Sequence, residues 1–312
     1  MSLILHERAR CRWCGGPFKQ IFGWQWICAT DVCADRCIAH AVLAPEPVDG
    51  TSPYLFLPLP LQVDIEESPI KRLLVWGPAG IAKSFGGRWH LYKRCLAIPG
   101  YQCLLLRVTY DQLFRNHLQF MGAETKSLGK TPDGDPVAKY FAGTDKPKHV
   151  QFQNGSTLWA GYCQHEVDIA QHMGTEYDEI VPEEAVHFLP RALAEIVTRD
   201  RGSAPARPAM ASRGFFTGRS RLLTNTGGQA MEFLRDHYVD RTPDLDLYPE
   251  YDPAFYGAIT GEVTDNPYLS PNYLKETLGG LEKARYDQLA RGSWDAFPGQ
   301  FFPDFDPSRH VR

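Results

Sequence analysis

The octapeptide Gly77-Pro78-Ala79-Gly80-Ile81-Ala82-Lys83-Ser84 follows the apolar run RLLVW and precedes FGGRWHLYKRCLA, which reads as a helix. A strand, a glycine-bearing loop and a helix N-terminus aim backbone N–H groups and the positive end of a helix dipole at one point, which suits a phosphate. The loop fits G-x-x-x-x-G-K-[ST] except that Ala82 stands at the second motif glycine, an added methyl that is tolerable if the residue keeps a negative φ. Lys83 is then expected to neutralise the β and γ phosphates of ATP, and Ser84 to offer its hydroxyl to Mg²⁺. By itself the octapeptide also reads as an ordinary turn.

A phosphate loop needs an acidic partner at the end of another strand of the same sheet. GTEYDEIVPEEAVHF supplies Glu183 and Glu184 after the apolar pair Ile180-Val181. Glu183 is expected to hold the hydration shell of the Mg²⁺ ion, and Glu184 to polarise the water that attacks in line. Pro182 cannot donate to a ladder, so it belongs at the strand's end. Asp178 and Glu179 compete for the acidic role but fall at the strand's start, and an acidic helix N-terminus is the plain alternative for the whole segment. A third segment, RLLTNTGGQAMEFLRDHY, reads as a strand ending in Thr224-Asn225, then a glycine pair and a helix. Polar side chains at that tip would lie beside the γ phosphate and sense its loss.

Five of the eight cysteines lie in the first 37 residues, as Cys11-x2-Cys14, then Cys28-x4-Cys33, then Cys37, with His40 beyond. In a reducing compartment two close pairs point to metal ligands more than to disulfides, and Cys11, Cys14, Cys28 and Cys33 are assigned to one structural Zn²⁺. Cys37 or His40 could replace one of the four, and free thiols clustered with Trp13, Trp24 and Trp26 are the alternative. Some 40 residues cannot easily hold together by core burial alone, which favours the metal. Cys95, Cys103 and Cys163 are isolated and read as core.

These segments need a scaffold. The chain has 312 residues, 43% hydrophobic, with a net charge of −4. No apolar run is long enough to span a membrane, and the N-terminus turns charged too early for a signal peptide, so a soluble, intracellular protein is expected. The charge balance advertises no global affinity for nucleic acid, but seven arginines between Val186 and Leu222 (Arg191, Arg199, Arg201, Arg207, Arg213, Arg219 and Arg221) face only Glu195 and Asp200. They read as a solvated basic loop or, if the chain meets nucleic acid, as its local phosphate contacts. Strands are expected at 72–76, 103–108, 177–181 and 219–225, helices at 83–97, 189–198 and 231–237, and a hairpin at HVQFQ-NG-STLWAGY. The segment GAETKSLGKTPDGD reads as an exposed excursion. Strands alternating with helices predict an α/β fold with a mainly parallel sheet. The expected division is 1–45 as a zinc-binding segment, 46–60 as a proline-rich connector, 61–260 as a P-loop ATPase core and 261–312 as a C-terminal helical or linker region.

This order of parts resembles the large terminase subunit of tailed bacteriophages, the ATPase that packages DNA into a capsid. The likeness runs from about Gln62 to the C-terminus. It is carried by VWGPAGIAKS, LLLRVTYDQL, GTEYDEIVPEEA, LLTNTGG and the tail VTDNPYLSPNYLKETL…YDQLARGSWDAFPGQFFPDFD. Several large terminases are similar in having alanine at the place of Ala82. The resemblance implies an ASCE-type P-loop NTPase and a motor that translocates double-stranded DNA into a procapsid. It further implies portal and small terminase subunit as partners, and a homo-oligomeric ring at work. It also implies that Gln62 reads the adenine edge through its amide. Many members place an arginine shortly before the second strand motif, to act on a neighbour's nucleotide. Gln171-His172-Met173-Gly174 stands there instead, so that arginine is unassigned, with Arg199 and Arg201 as substitutes. The family usually continues into an RNase H-like nuclease domain, which would start near FDPSRHVR; Asp304 and Asp306 are therefore expected to be linker residues, with no DNA cleavage by this polypeptide. Another P-loop nucleic-acid ATPase, such as a helicase-like remodeller, and a zinc-containing scaffold with a vestigial P-loop are the rival functions.

Overall fold

The computed structural model describes residues 5–22, 25–45, 52–143, 147–212 and 218–296. Trp24, Arg213, Asp304, Asp306 and residues 46–51 of the 46–60 connector lie outside them. The N-terminal segment forms β1 (Leu5–Arg10), β2 (Pro17–Ile21) and β3 (Gln25–Cys28), an antiparallel trio, then α1 (Asp31–Ala39). The short strands β4 (Val42–Leu43) and β5 (Tyr54–Phe56) pair with each other, and α2 (Pro60–Glu67) follows. Proline is at home in the first turn of α2 because that N–H has no helical acceptor.

The core then runs β6 (Arg72–Trp76), α3 (Lys83–Ala97), β7 (Gln102–Arg107) and α4 (Tyr110–Leu113), which continues through a wide π turn at Phe114–Leu118 into α5 (Gln119–Ser127). Next come β8 (Ala138–Phe141), β9 (His149–Phe152), β10 (Thr157–Tyr162), β11 (Glu179–Pro182), α6 (Pro190–Ile196), α7 (Arg207–Ala211) and β12 (Arg219–Leu223). The described chain ends with α8 (Met231–Leu234), β13 (Tyr256–Thr260), α9 (Tyr273–Leu278) and α10 (Lys283–Arg291).

Eight strands make one sheet in the order β13-β6-β12-β11-β7-β10-β9-β8, and only β9 runs against the rest. Successive side chains of a strand point to opposite faces, and here both faces are dry. Leu73, Val75, Cys103, Leu105, Val181 and Leu223 pack with Trp89, Tyr92 and Cys95 of α3 and with Met121 of α5. Their neighbours Leu74, Leu104, Leu106, Ile180 and Leu222 pack the other way, on Leu193 and Ile196 of α6 and Met231 of α8. That double burial is why these strands read as unbroken apolar runs. No helix among the described residues is long and apolar enough to cross a membrane.

Three expectations change. Gly122–Ser127 of the supposed excursion is helical, because Met121 and Thr125, one turn apart, are buried against the core. β8 and β13 carry no clean alternation in sequence, yet β13 pairs with β6 from Tyr256↔Arg72 to Thr260↔Trp76 and closes the sheet beside the phosphate loop. Of the arginine cluster, Arg219 and Arg221 are not surface groups: both are buried in β12, where Arg221 donates to the carbonyls of Ser68 and Ile70 at 3.1 and 2.8 Å.

Candidate functional site

The octapeptide links β6 to α3, so its backbone sits at the C-terminal edge of the sheet. Gly77 adopts φ +138°, and a Cβ there would lie 2.9 Å from the carbonyl oxygen of Gly261, so both shape and space call for glycine. Ala82 does not keep the negative φ expected of it; it is left-handed at φ 61°, ψ 30°. The second motif position thus keeps the backbone that glycine ordinarily supplies, and alanine bears the strain, about 1–2 kcal/mol. Glu184 is left-handed as well, at φ 54°, ψ 46°. Strain held in this way gathers at functional sites because the surroundings over-determine it.

The Lys83 ammonium is enclosed. It donates to the carbonyls of Gly77 and Pro78 at 3.3 and 2.9 Å and to Asn225 Oδ1 at 2.6 Å. Burial lowers its pKa to about 8, against the opposing charges of Glu184 and then Glu183. Thr224 acts differently from its neighbour: its hydroxyl donates to the Asn225 carbonyl at 2.7 Å and accepts the Val186 N–H at 3.1 Å, tying the tip of β12 to the segment after Glu184.

β11 ends at Pro182, and Glu183 follows at the strand tip, 1% exposed. Its Oε2 accepts from Arg107 Nη1 at 2.8 Å and is hydrogen-bonded by His117 Nε2. Burial raises this carboxyl, but His117 and then Arg107, with a smaller contribution from the Ser84 hydroxyl, outweigh it and hold the pKa at about 2. The other oxygen, Oε1, is buried and makes no full hydrogen bond. A carboxylate held below the usual range, with one oxygen taken by Arg107 and His117 and the other without a full hydrogen bond, suits a hard cation such as Mg²⁺. Glu184, next in sequence, is half-buried. The competitors serve the fold: Asp178 accepts from Gln102 N–H and the Ser203 hydroxyl, and Glu179 is buried against His90 and Tyr101.

Gln62 reaches the loop through its amide, which accepts the Leu59 N–H at 2.8 Å and donates to the Ala82 carbonyl at 3.1 Å. Each end keeps capacity for one more bond. A Cβ on Gly86 would lie 2.7 Å from that amide, so glycine in α3 admits this approach. From the C-terminal region, Leu289 accepts the Ala79 N–H at 2.7 Å and Asn266 donates to the Gly80 carbonyl at 2.5 Å, closing the loop's outer side. Arg199 and Arg201 lie away from this edge: the Arg199 carbonyl accepts the Tyr177 N–H, at the opposite end of β11 from Glu183.

The thiols of Cys11, Cys14, Cys28 and Cys33 all lie within 4.8 Å of one another, and Cys14 and Cys28 are 3.6 Å apart. Bonds of about 2.3 Å to a tetrahedral Zn²⁺ place sulfurs about 3.8 Å apart, so the set fits that ion. Gly16 and Thr30 N–H groups donate to the sulfurs of Cys14 and Cys28, orienting both. The Cys14 thiol, hydrogen-bonded first by Thr30, falls to about 6. Cys37 points elsewhere, into an apolar cluster with Ile27, Leu57 and Val63, and His40 lies against Glu66 and Glu67. Arg107 and His117 are the site residues that motif spacing did not find, since they lie 76 and 66 residues from Glu183.

The parallel sheet, the glycine-bearing loop at its C-terminal edge and the flanking helices define an α/β NTPase fold. No protein-family model and no curated protein matches the sequence. Among solved structures, the chain is similar in fold to the large terminase from a thermophilic bacteriophage, with a TM-score of 0.54 and 14% identity over 76% of this chain and 53% of that one. The same terminase in complex with ATP-gamma-S gives 0.50 and 13% over 76% and 52%. The HK97 bacteriophage large terminase gives 0.52 and 11% over 83% and 55%. The chain spans about half the length of these structures.

Proposed function

We propose that the chain is an ATP-hydrolysing module of a terminase-like motor that moves double-stranded DNA into a viral procapsid. One observation carries the reading: an ammonium, a strand-tip amide and a paired carboxylate come together at the C-terminal ends of β6, β12 and β11, with Lys83 bonded directly to Asn225. β12 lies between the loop strand β6 and the acidic strand β11, so its tip stands beside both. ATP would bind with its β and γ phosphates against the loop N–H groups. Lys83 would exchange its carbonyl partners for phosphate oxygens, regaining the charge that burial disfavours. Ser84 and Glu183 would hold Mg²⁺, which supplies neutralisation of the charge that develops on the transferred phosphoryl group. Glu184 would accept hydrogen bonding from the attacking water and aim it in line. Asn225, released from Lys83 or re-bonded to it as the γ phosphate leaves, would pass that change through Thr224 and β12.

The four cysteines would hold a structural Zn²⁺ that fixes the N-terminal segment against α2, where Arg12 pairs with Asp64 at 2.9 Å and Trp13 donates to the same carboxylate. DNA, portal and small-subunit partners, ring assembly, and the division into zinc segment, connector, core and C-terminal region belong to the same proposal. Exposed Arg191, Arg201 and Arg207 are what remain of the arginine cluster for phosphate contacts among the described residues. The test is thermal unfolding with and without Mg-ATP. At about 100 times Kd a bound ligand adds about 2.7 kcal/mol, so the midpoint should rise, and Lys83→Ala should abolish the rise. A wild-type midpoint indifferent to Mg-ATP favours a scaffold with a vestigial loop, and turnover stimulated only by single-stranded DNA favours a helicase-like remodeller.

A further inference from the structure

We propose that His117 is the positioning residue for Glu183: it holds one carboxylate oxygen so that the other is presented toward Ser84, and it is itself braced from behind by Arg88. The metal role of Glu183 is taken from the ATPase reading; the hydrogen-bonded chain is independent of it. His117 is fully buried, on the wide turn between α4 and α5. Its Nε2 meets Glu183 Oε2, and its Nδ1 lies 3.1 Å from Arg88 Nη1.

A guanidinium can only donate, so Nδ1 is the acceptor and Nε2–H donates to Glu183. Arg88 therefore fixes the tautomer that Glu183 needs, as outer-shell partners do for ligands at metal sites. Arg88 is 4% exposed and is clamped by Glu124 through two bonds of 2.7 Å, while the Tyr92 hydroxyl donates to the same carboxylate at 3.1 Å. Arg88 lies on α3, the helix that starts at Lys83 and Ser84, so the phosphate loop and the acidic strand tip are connected by one buried chain: α3, Arg88, His117, Glu183.

The wide turn gives His117 its aim. An extra residue in a helical turn shifts the following side chains by about 100° around the axis, and such turns recur at functional sites. Arg107, from the end of β7, supplies the second donor to Oε2, so two elements converge on one oxygen and leave Oε1 free.

The test uses the full chain, magnesium and a fluorescent ATP analogue, and reads the magnesium concentration at half-saturation of metal-dependent nucleotide binding beside turnover. His117→Leu, which keeps bulk and removes the donor, should raise that concentration about 10- to 100-fold and lower turnover without changing metal-free nucleotide binding. His117→Gln, whose amide N–H can reach the same oxygen, should restore most of the loss, a rescue that packing alone would not give. A folded His117→Leu protein with the magnesium dependence of the wild type overturns the proposal. Should the leucine variant not fold, His117→Asn, whose shorter amide stops short of Glu183, takes its place with the same two outcomes. If the wild type shows no magnesium-dependent nucleotide binding, the ATPase reading falls and the positioning role with it, a pattern distinct from a normal wild type with indifferent variants.

Discussion

Ala82→Gly should stabilise the protein although it removes packed atoms. The left-handed backbone at Ala82 costs an L-residue about 1–2 kcal/mol, and glycine removes that cost. Against this, the added freedom of glycine in the unfolded chain takes back about 0.4–1 kcal/mol. The half-buried methyl, packed on the cluster of Phe18 and Leu59, is worth about 0.3 kcal/mol at about 25 cal/mol per Å². The net gain is about 0.5 kcal/mol, which for a chain of this size raises the melting midpoint by about 1–2 °C. Glu184→Gly is the matched comparison, because φ 54° there stores similar strain. It relieves the same strain but also removes the charge that faces the buried Lys83 ammonium, so it should stabilise less than Ala82→Gly while abolishing ATP turnover, whereas Ala82→Gly should leave turnover intact. Thermal and denaturant unfolding of the three proteins, with turnover measured in parallel, decides the matter. A clear fall in the midpoint of Ala82→Gly would refute the argument that alanine is strained in a glycine-shaped backbone.

Three further outcomes follow from Lys83 and the cysteine cluster. Burial depresses the Lys83 pKa to about 8, so the amine is charged below that pH and loses its proton above it. Mg-ATP affinity should hold steady up to about pH 8 and then weaken by as much as tenfold per pH unit, a trend that titration calorimetry on the wild type checks and that an affinity unchanged from about pH 7 to 9.5 would contradict. In the nucleotide-free protein the sign is opposite: between about pH 8 and 10 the unfolded chain binds the extra proton, so stability should rise with pH across that window. For the metal, analysis of purified protein should find one zinc per chain, lost in Cys28→Ser and kept in Cys37→Ser; zinc retained in Cys28→Ser would remove that thiol from the set.

Spacing carried the linear parts of the site. β6, α3 and the β9–β10 hairpin fall where apolar runs and Asn154-Gly155 put them, because their signals are local. The sign of φ at Ala82 was not legible, since sequence shows which residue stands at a position but not which backbone the loop imposes on it. Arg219 and Arg221 looked like surface charge, yet their strand pairs between β6 and β11 and leaves them no exposed face. Arg107 and His117 were invisible for another reason: their role exists only where β7 and the α4–α5 turn meet the tip of β11, and no motif links residues brought together by sheet order alone. β13 was missed because a half-buried edge strand with a glycine inside, Tyr256–Thr260, has weak periodicity.

On the proposed mechanism Glu184 prepares the attacking water while Lys83 and its neighbours bind the nucleotide. ATP turnover by the wild type and Glu184→Gln, each with and without duplex DNA, tests it most directly when Mg-ATP binding is measured on the same samples. Turnover is expected in the wild type, stimulated by duplex, and should be lost in Glu184→Gln with nucleotide binding retained. Equal turnover in the two proteins would contradict it.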